Sequence, residues 1–192
     1  MLLSVIRRRI SDEDALWLIR IIFSNHEAKI AGKGIPLGNL TSQFFANVYL
    51  DELDQFVKHE LNAKYYLRYV DDFVILSKSR KELERSREAI GEFLSNRLKL
   101  ALHPQKTRII PLCAGIPLLG FRAFFHFRLL KKSNRLRIKK RLAILRRMLA
   151  DREIGRKRVL LSFAGWEGYA KMADAYRLRM ALRKEMESMN NG

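Results

Sequence analysis

The sequence predicts an α+β fold, on three observations. Apolar residues recur at helical spacing near residues 4–25, 41–60 and 79–97, and again from Ser133 onward. Between them lie Tyr65–Tyr69 and Phe73–Ser77, short β-prone runs joined at Val70-Asp71-Asp72, which read as a β-hairpin. Further short strands are expected near Arg108–Pro111 and Leu118–Phe127.

The first helical stretch carries Val5, Ile6, Ile10, Leu16, Leu18, Ile19, Ile22 and Phe23. Ser11-Asp12-Glu13-Asp14 is a helix-start signal inside it, so two helices with a break near Ser11 are expected. Residues 26–40 form a loop with Gly32, Gly34, Pro36 and Gly38. Thr41 or Ser42 suits the cap of the next helix, whose apolar face is Phe44, Phe45, Val48, Tyr49, Leu53 and Phe56. Leu83, Ala89, Ile90, Phe93 and Leu94 define the helix after the hairpin. In the last region Leu136, Ile138, Leu142, Ile144, Leu145 and Leu149 mark one helix face, and Leu160–Met172 and Ala175–Met186 suggest two more helices. A composition shift near Arg128 divides the chain into residues 1–127 and a helical part, 128–192.

The 192 residues hold 48% hydrophobic residues, which is a folding composition. The net charge of +18 calls for a polyanionic partner, with nucleic acid ahead of an anionic membrane surface. No apolar run approaches the roughly 18–20 residues of a spanning helix, and Arg7, Arg8 and Arg9 follow the apolar start instead of preceding one, unlike a signal peptide. Cys113 is the single cysteine and reads as a buried small hydrophobe. A cytoplasmic setting fits these features.

Asp71 and Asp72 carry the chemical argument. Adjacent carboxylates at a hairpin tip repel each other where Asn-Gly or Asp-Gly would be usual. Divalent cations would neutralise that charge, since Mg²⁺ takes oxygen ligands from carboxylates and substrate phosphates. Two such ions can stabilise the attacking and leaving oxygens of a phosphoryl transfer. Taken blindly, most Asp-Asp pairs are solvated turns; the neighbouring blocks decide here.

Tyr69-Val70-Asp71-Asp72 between two apolar strands resembles the signature hairpin of reverse transcriptases. Four more blocks stand in that family's order. Gly34-Ile35-Pro36-Leu37-Gly38-Asn39-Leu40-Thr41-Ser42-Gln43 is similar to the loop opening the palm helix beneath the nascent base pair. His103-Pro104-Gln105-Lys106-Thr107 resembles the block whose lysine approaches nucleotide phosphates. Leu118-Leu119-Gly120-Phe121 resembles the primer grip, and Gly165-Trp166-Glu167-Gly168-Tyr169 a segment of the thumb. The resemblance implies a partial polymerase palm followed by a helical thumb, and RNA-directed DNA polymerisation with RNA template, DNA primer and deoxynucleotides. It also implies two Mg²⁺ ions, Mn²⁺ being a substitute. Asp71 and Asp72 would hold the metals, and Lys106 would meet phosphate or protonate the leaving group. Leu37, Gly38, Asn39, Ser42, Gln43 and Tyr69 would border nucleotide and template. Leu119, Gly120 and Phe121 would contact the primer.

Read from the residues themselves, Gly34 and Gly38 suit either close approach to a base pair or a flexible helix entry. Capping accounts for Ser42, a solvated charge for an isolated lysine such as Lys106, and core packing for Trp166 and Tyr169. Gly120 within an apolar strand suggests a bulge or close backbone approach. Lys131, Lys132, Arg135, Arg137, Lys139 and Lys140 crowd one basic stretch, for which a phosphate backbone is the economical partner and a solvated face the alternative.

The Leu37-Gly38 start and Ser42-Gln43 end of the loop resemble the enzymes of diversity-generating retroelements more than intron-encoded ones. That group ties this loop to tolerance of mispairing at template adenine and implies a small basic helical accessory protein. The family's third metal-binding aspartate, on a strand just before the helices that open this chain, has no counterpart, nor do the fingers. Asp12 and Asp14 sit in a helix start, and Asp51 and Asp54 toward the far end of the palm helix. The expectation is an enzyme inactive as an isolated chain: a truncated gene or miscalled start, half of a split enzyme completed by a fingers-palm chain, or a non-catalytic RNA or hybrid binder. A missing strand would also leave an exposed sheet edge.

Overall fold

A computed structural model describes residues 1–24 and 40–188. It is α+β, with two compact units, Met1–Ile109 and Ile110–Gly192. The expected division near Arg128 falls inside the second unit, because residues 128–130 are a strand paired to the preceding chain.

In the first unit, α1 (Leu2–Arg7) and α2 (Glu13–Ser24) are separated where the sequence signals a break. The cap is Asp12, whose Oδ1 accepts from the Ala15 N–H at 2.9 Å. Ile6 and Leu16 close on Phe45 of α3 (Leu40–Gln55) to form one small core. Since α3 starts at Leu40, Thr41 and Ser42 lie inside its first turn and not at the cap. Phe44 is exposed, correcting its place on the apolar face. The helix runs on through a π-turn, Phe56–Glu60, that buries Val57 completely.

Val57 and Leu53 pack on Ile90, Phe93, Leu94 and Leu98 of α4 (Arg80–Leu98), with Phe56 stacked on Phe93 at 4.2 Å. Ser79 caps α4, accepting from the Glu82 N–H, and Lys99 ends it in the left-handed region. The hairpin of β1 (Tyr65–Tyr69) and β2 (Asp72–Leu76) lays Tyr66, Phe73 and Ile75 on this same core.

Residues 108–111 form no strand, contrary to expectation, and Leu112–Ala114 is a 3₁₀ turn. A β-prone run becomes a strand only with a partner, and Pro111 withholds one donor. Cys113 in that turn is exposed, not buried. The expected strand over Leu118–Phe127 is instead part of a three-stranded antiparallel sheet: β3 (Ile116–Leu118), β4 (Phe121–Ala123) and β5 (Arg128–Leu130).

Three helices follow: α5 (Lys132–Ala150), α6 (Arg156–Ala170) and α7 (Tyr176–Ser188). Ile138 and Leu142 meet Val159, Phe163, Leu182 and Met186 in their core. Leu136 and Ile144, placed by periodicity on the same face, are exposed. They lie more than 100° around the helix from Ile138 and Leu142, taking about 100° per residue. Among the described residues of this unit Glu167 is the buried charge, held by Arg183 at 2.7 Å and 2.8 Å and by Arg179 at 3.8 Å.

Candidate functional site

The hairpin register pairs Tyr69 with Asp72, so the turn is two residues, Val70-Asp71, and Asp72 begins β2 instead of belonging to the turn. Val70 sits at φ +55°, the left-handed region. A two-residue turn with positive φ at its first central position is normally given to glycine. A β-branched residue there carries strain, on the order of 1–3 kcal/mol, of the kind that gathers at functional sites.

Arg68 holds the strained turn. Its Nη1 donates to the Val70 carbonyl at 2.8 Å and to Asn47 Oδ1 at 2.9 Å, while Nε and Nη2 grip Asp54 at 2.8 and 2.6 Å. Tyr66 also donates to Asp54, at 2.6 Å. Burial would raise the Asp54 carboxyl, but the Arg68 and Tyr66 hydrogen bonds and the Arg68 charge outweigh it and hold it below the usual carboxylate range. Burial and the Asp54 carboxylate push the Tyr66 hydroxyl well up. A charged residue on the inward face of a strand is the signal that marks Arg68; motif matching passes over it.

Asp71 and Asp72 are exposed and, among the described residues, their carboxylates have no hydrogen-bond or ion-pair partner. The face that Asp72 shares with Tyr69, Leu67 and Tyr65 is open, those three residues being 57%, 56% and 57% exposed, and Asp71 stands beside it in the turn. Three other aspartates of this unit have structural work: Asp12 caps α2, Asp51 binds Arg9 at 2.5 Å, and Asp54 binds Arg68. Among the described residues no group of three or more His, Cys, Asp or Glu side chains could hold a metal ion. Asp71 and Asp72 nevertheless offer the hard oxygen donors that suit Mg²⁺, with coordination left for phosphate and water.

Lys106 lies in a turn closed by the Lys106 and Thr107 N–H groups donating to the His103 carbonyl at 3.1 and 3.0 Å, and its side chain is exposed. Ser42 and Gln43 occupy the first turn of α3, with Gln43 exposed. Leu37, Gly38 and Asn39 lie outside the described residues, as does the rest of the loop near 26–39.

In the second unit, Leu119 (φ +48°) and Gly120 (φ +84°) make a two-residue turn with both central residues left-handed. Leu119 is exposed at its tip, whereas Phe121 is buried against Tyr169. Two residues from the helices fix the turn. Asn134 Nδ2 donates to the Gly120 carbonyl at 3.0 Å and to Tyr169 Oη at 2.9 Å, and Tyr169 Oη donates to the Leu119 carbonyl at 3.2 Å. Burial raises the Tyr169 hydroxyl, against the Asn134 hydrogen bond, so it remains a donor at neutral pH. Asn134 carries no sequence signal for this role, because its partners are 14 and 35 residues away.

Lys132, Arg135, Arg137, Lys139 and Lys140 are all exposed on α5, and Lys131 stands at its N-cap. A groove of about 470 Å³ between α5 and α6 adds Arg141 to Asn134, Arg137, Ser162, Trp166 and Tyr169. The Ser162 hydroxyl and Trp166 Nε1 are buried beside it without a hydrogen-bond partner. No helix among the described residues is long and apolar enough to cross a membrane.

Two comparisons bear on these features. Residues 5–123 match the family model described as reverse transcriptase (RNA-dependent DNA polymerase). The chain is also 30% identical over 160 residues to Protein YkfC of Escherichia coli (strain K12), an alignment covering 64% of this chain and 42% of YkfC. The chain thus spans less than half the length of that relative. The family match holds the carboxylate hairpin, the Lys106 turn and the Leu119-Gly120 turn, and ends before the basic helices.

Proposed function

The chain belongs to the reverse transcriptase family, and on that premise we propose that it is the palm and thumb portion of an RNA-directed DNA polymerase. The observation that carries the reading is the Val70-Asp71 turn: a strained β-branched residue, pinned by Arg68, stands beside two exposed, unpartnered carboxylates at the hairpin tip. Stability does not favour such a turn, whereas a metal-holding one gains from it.

Asp71 and Asp72 would hold Mg²⁺, with a further carboxylate supplied from beyond the described residues. The bound ions would supply charge neutralisation at the transferring phosphoryl group. The chain's own residues do the rest. Arg68 keeps the two carboxylates in register by fixing the Val70 carbonyl. Tyr69, opposite Asp72 on the open face, would bear on the nucleotide or primer end. Leu37, Gly38, Asn39, Ser42 and Gln43 would border the nascent pair, with the loop sequence favouring the retroelement group. Lys106 would meet phosphate as a point charge. The Leu119-Gly120 turn would touch the primer through its exposed tip and backbone, and the cations of α5 would follow the duplex phosphates without regard to sequence. A small basic helical accessory protein or a chain carrying the fingers would complete the assembly, in the cytoplasm.

Manganese binding followed by electron paramagnetic resonance, with primer–template and deoxynucleotide present, tests the central element. Asp71→Asn and Asp72→Asn should each weaken Mn²⁺ binding about tenfold or more while duplex affinity is unchanged. Equal Mn²⁺ binding by wild type and both variants would make the chain a nucleic-acid binder without this chemistry.

A further inference from the structure

The loop joining β4 to β5 is Phe124-Phe125-His126-Phe127, four aromatic residues where a hairpin connection ordinarily takes Gly, Asn, Asp or Pro. Phe125 is 78% exposed and Phe127 49% exposed, so both rings keep apolar surface in water that burial would have removed. Yet the loop is built. The Phe124 N–H donates to the Phe127 carbonyl at 2.8 Å, and the two rings stack at 4.5 Å with 15° between their planes. Gly115, at φ +74°, makes room: a Cβ there would come within 2.6 Å of the Phe124 ring. The Arg122 guanidinium lies 5.5 Å from the centre of the Phe124 ring, and Arg128, exposed, follows Phe127 directly.

We propose that this Phe124–Phe127 tip is a stacking platform for the bases of an unpaired nucleic-acid strand. A near-parallel ring pair with a half-exposed outer member suits another flat ring, and every nucleobase offers one. Arg122 and Arg128 beside it suit the backbone phosphates, in keeping with a chain of net charge +18. A duplex does not fill the site, since its bases are already stacked on one another. The flat geometry favours a base over an acyl chain, and the flanking cations favour a polyanion over a second copy of this equally basic chain. The proposal does not depend on Asp71 and Asp72.

The test is fluorescence anisotropy with a short labelled oligothymidylate and an abasic strand of the same length. The full-length chain should bind the thymidylate about tenfold more tightly, the equivalent of about 1.4 kcal/mol. Combined Phe125→Ala and Phe127→Ala should remove that preference and leave abasic binding unchanged. Phe127→Trp should keep it, which separates stacking from a general loss of structure. Equal affinity of the wild type for both strands overturns the proposal. So does preferential binding to phosphatidylserine vesicles lost in the alanine variant, which would assign the rings to a membrane. A dimer in sedimentation that the alanine variant dissolves would assign them to a second copy and would overturn it equally.

Discussion

Gly120→Ala is the substitution whose cost can be worked furthest from the structure. A Cβ at Gly120 would stand 2.2 Å from Tyr169 Oη and 2.6 Å from Asn134 Nδ2, the two groups that hold the turn. Placing alanine at φ +84° costs about 1–2 kcal/mol by itself. Moving Tyr169 and Asn134 aside breaks hydrogen bonds to the Leu119 and Gly120 carbonyls, about 1 kcal/mol each. The expected total is about 3–4 kcal/mol in urea denaturation. Tyr169→Phe removes the nearest atom, leaving the ring carbon at 3.4 Å, and should cost about 1 kcal/mol alone. In the double variant that clash is absent and the bond to Leu119 is lost only once, so the two costs should not add: the pair should come out about 1 kcal/mol more stable than their sum. Additivity within about 0.5 kcal/mol would mean that Tyr169 does not hold the turn, and the reasoning would fail.

Three further outcomes are expected. Val70→Asn, which tolerates the left-handed region better, should raise stability by about 1 kcal/mol and weaken Mn²⁺ binding; a loss of stability would show that Val70 is not strained. Asp54 is held below its ordinary value in the fold, so its stabilisation is complete above the unfolded carboxylate value and is lost as pH falls through the lowered one. The advantage of wild type over Asp54→Asn in denaturant melts should therefore be full at pH 6 and shrink below about pH 4, and an advantage that grows in acid would contradict the assignment. Replacing Lys132, Arg135 and Lys139 by alanine should lower the salt dependence of duplex binding by about 2–3 in the log–log slope; an unchanged slope would take those cations off the phosphates.

The helices were legible wherever a local signal sat at their ends. Asp12 and Ser79 mark two starts by short-range side-chain bonds, and the break near Ser11 follows from the first of them. The carboxylate hairpin was legible as a motif, but its inner workings were not. Binary patterning would bury Leu67 and expose Arg68, whereas Leu67 is 56% exposed and Arg68 lies inward on Asp54. Only the partner on α3 makes that arrangement favourable. Arg108–Pro111 had strand composition without a strand partner, and Leu136 and Ile144 had helical spacing on a helix covered on one side. Asn134 and Tyr169 act through pairings 14, 35 and 50 residues apart, which no local pattern encodes.

Primer extension on an RNA template with Mg²⁺ tests the assignment of Asp71 to polymerase chemistry most directly. It would compare this chain, this chain supplied with a fingers-and-palm fragment bearing the family's first catalytic strand, and that mixture carrying Asp71→Ala. Extension is expected in the supplied wild-type mixture, with at least a hundredfold loss in Asp71→Ala, a barrier increase of about 2.7 kcal/mol. Extension that survives Asp71→Ala would contradict the assignment, as would no extension in any arm from a chain that still grips the duplex in a salt-sensitive way.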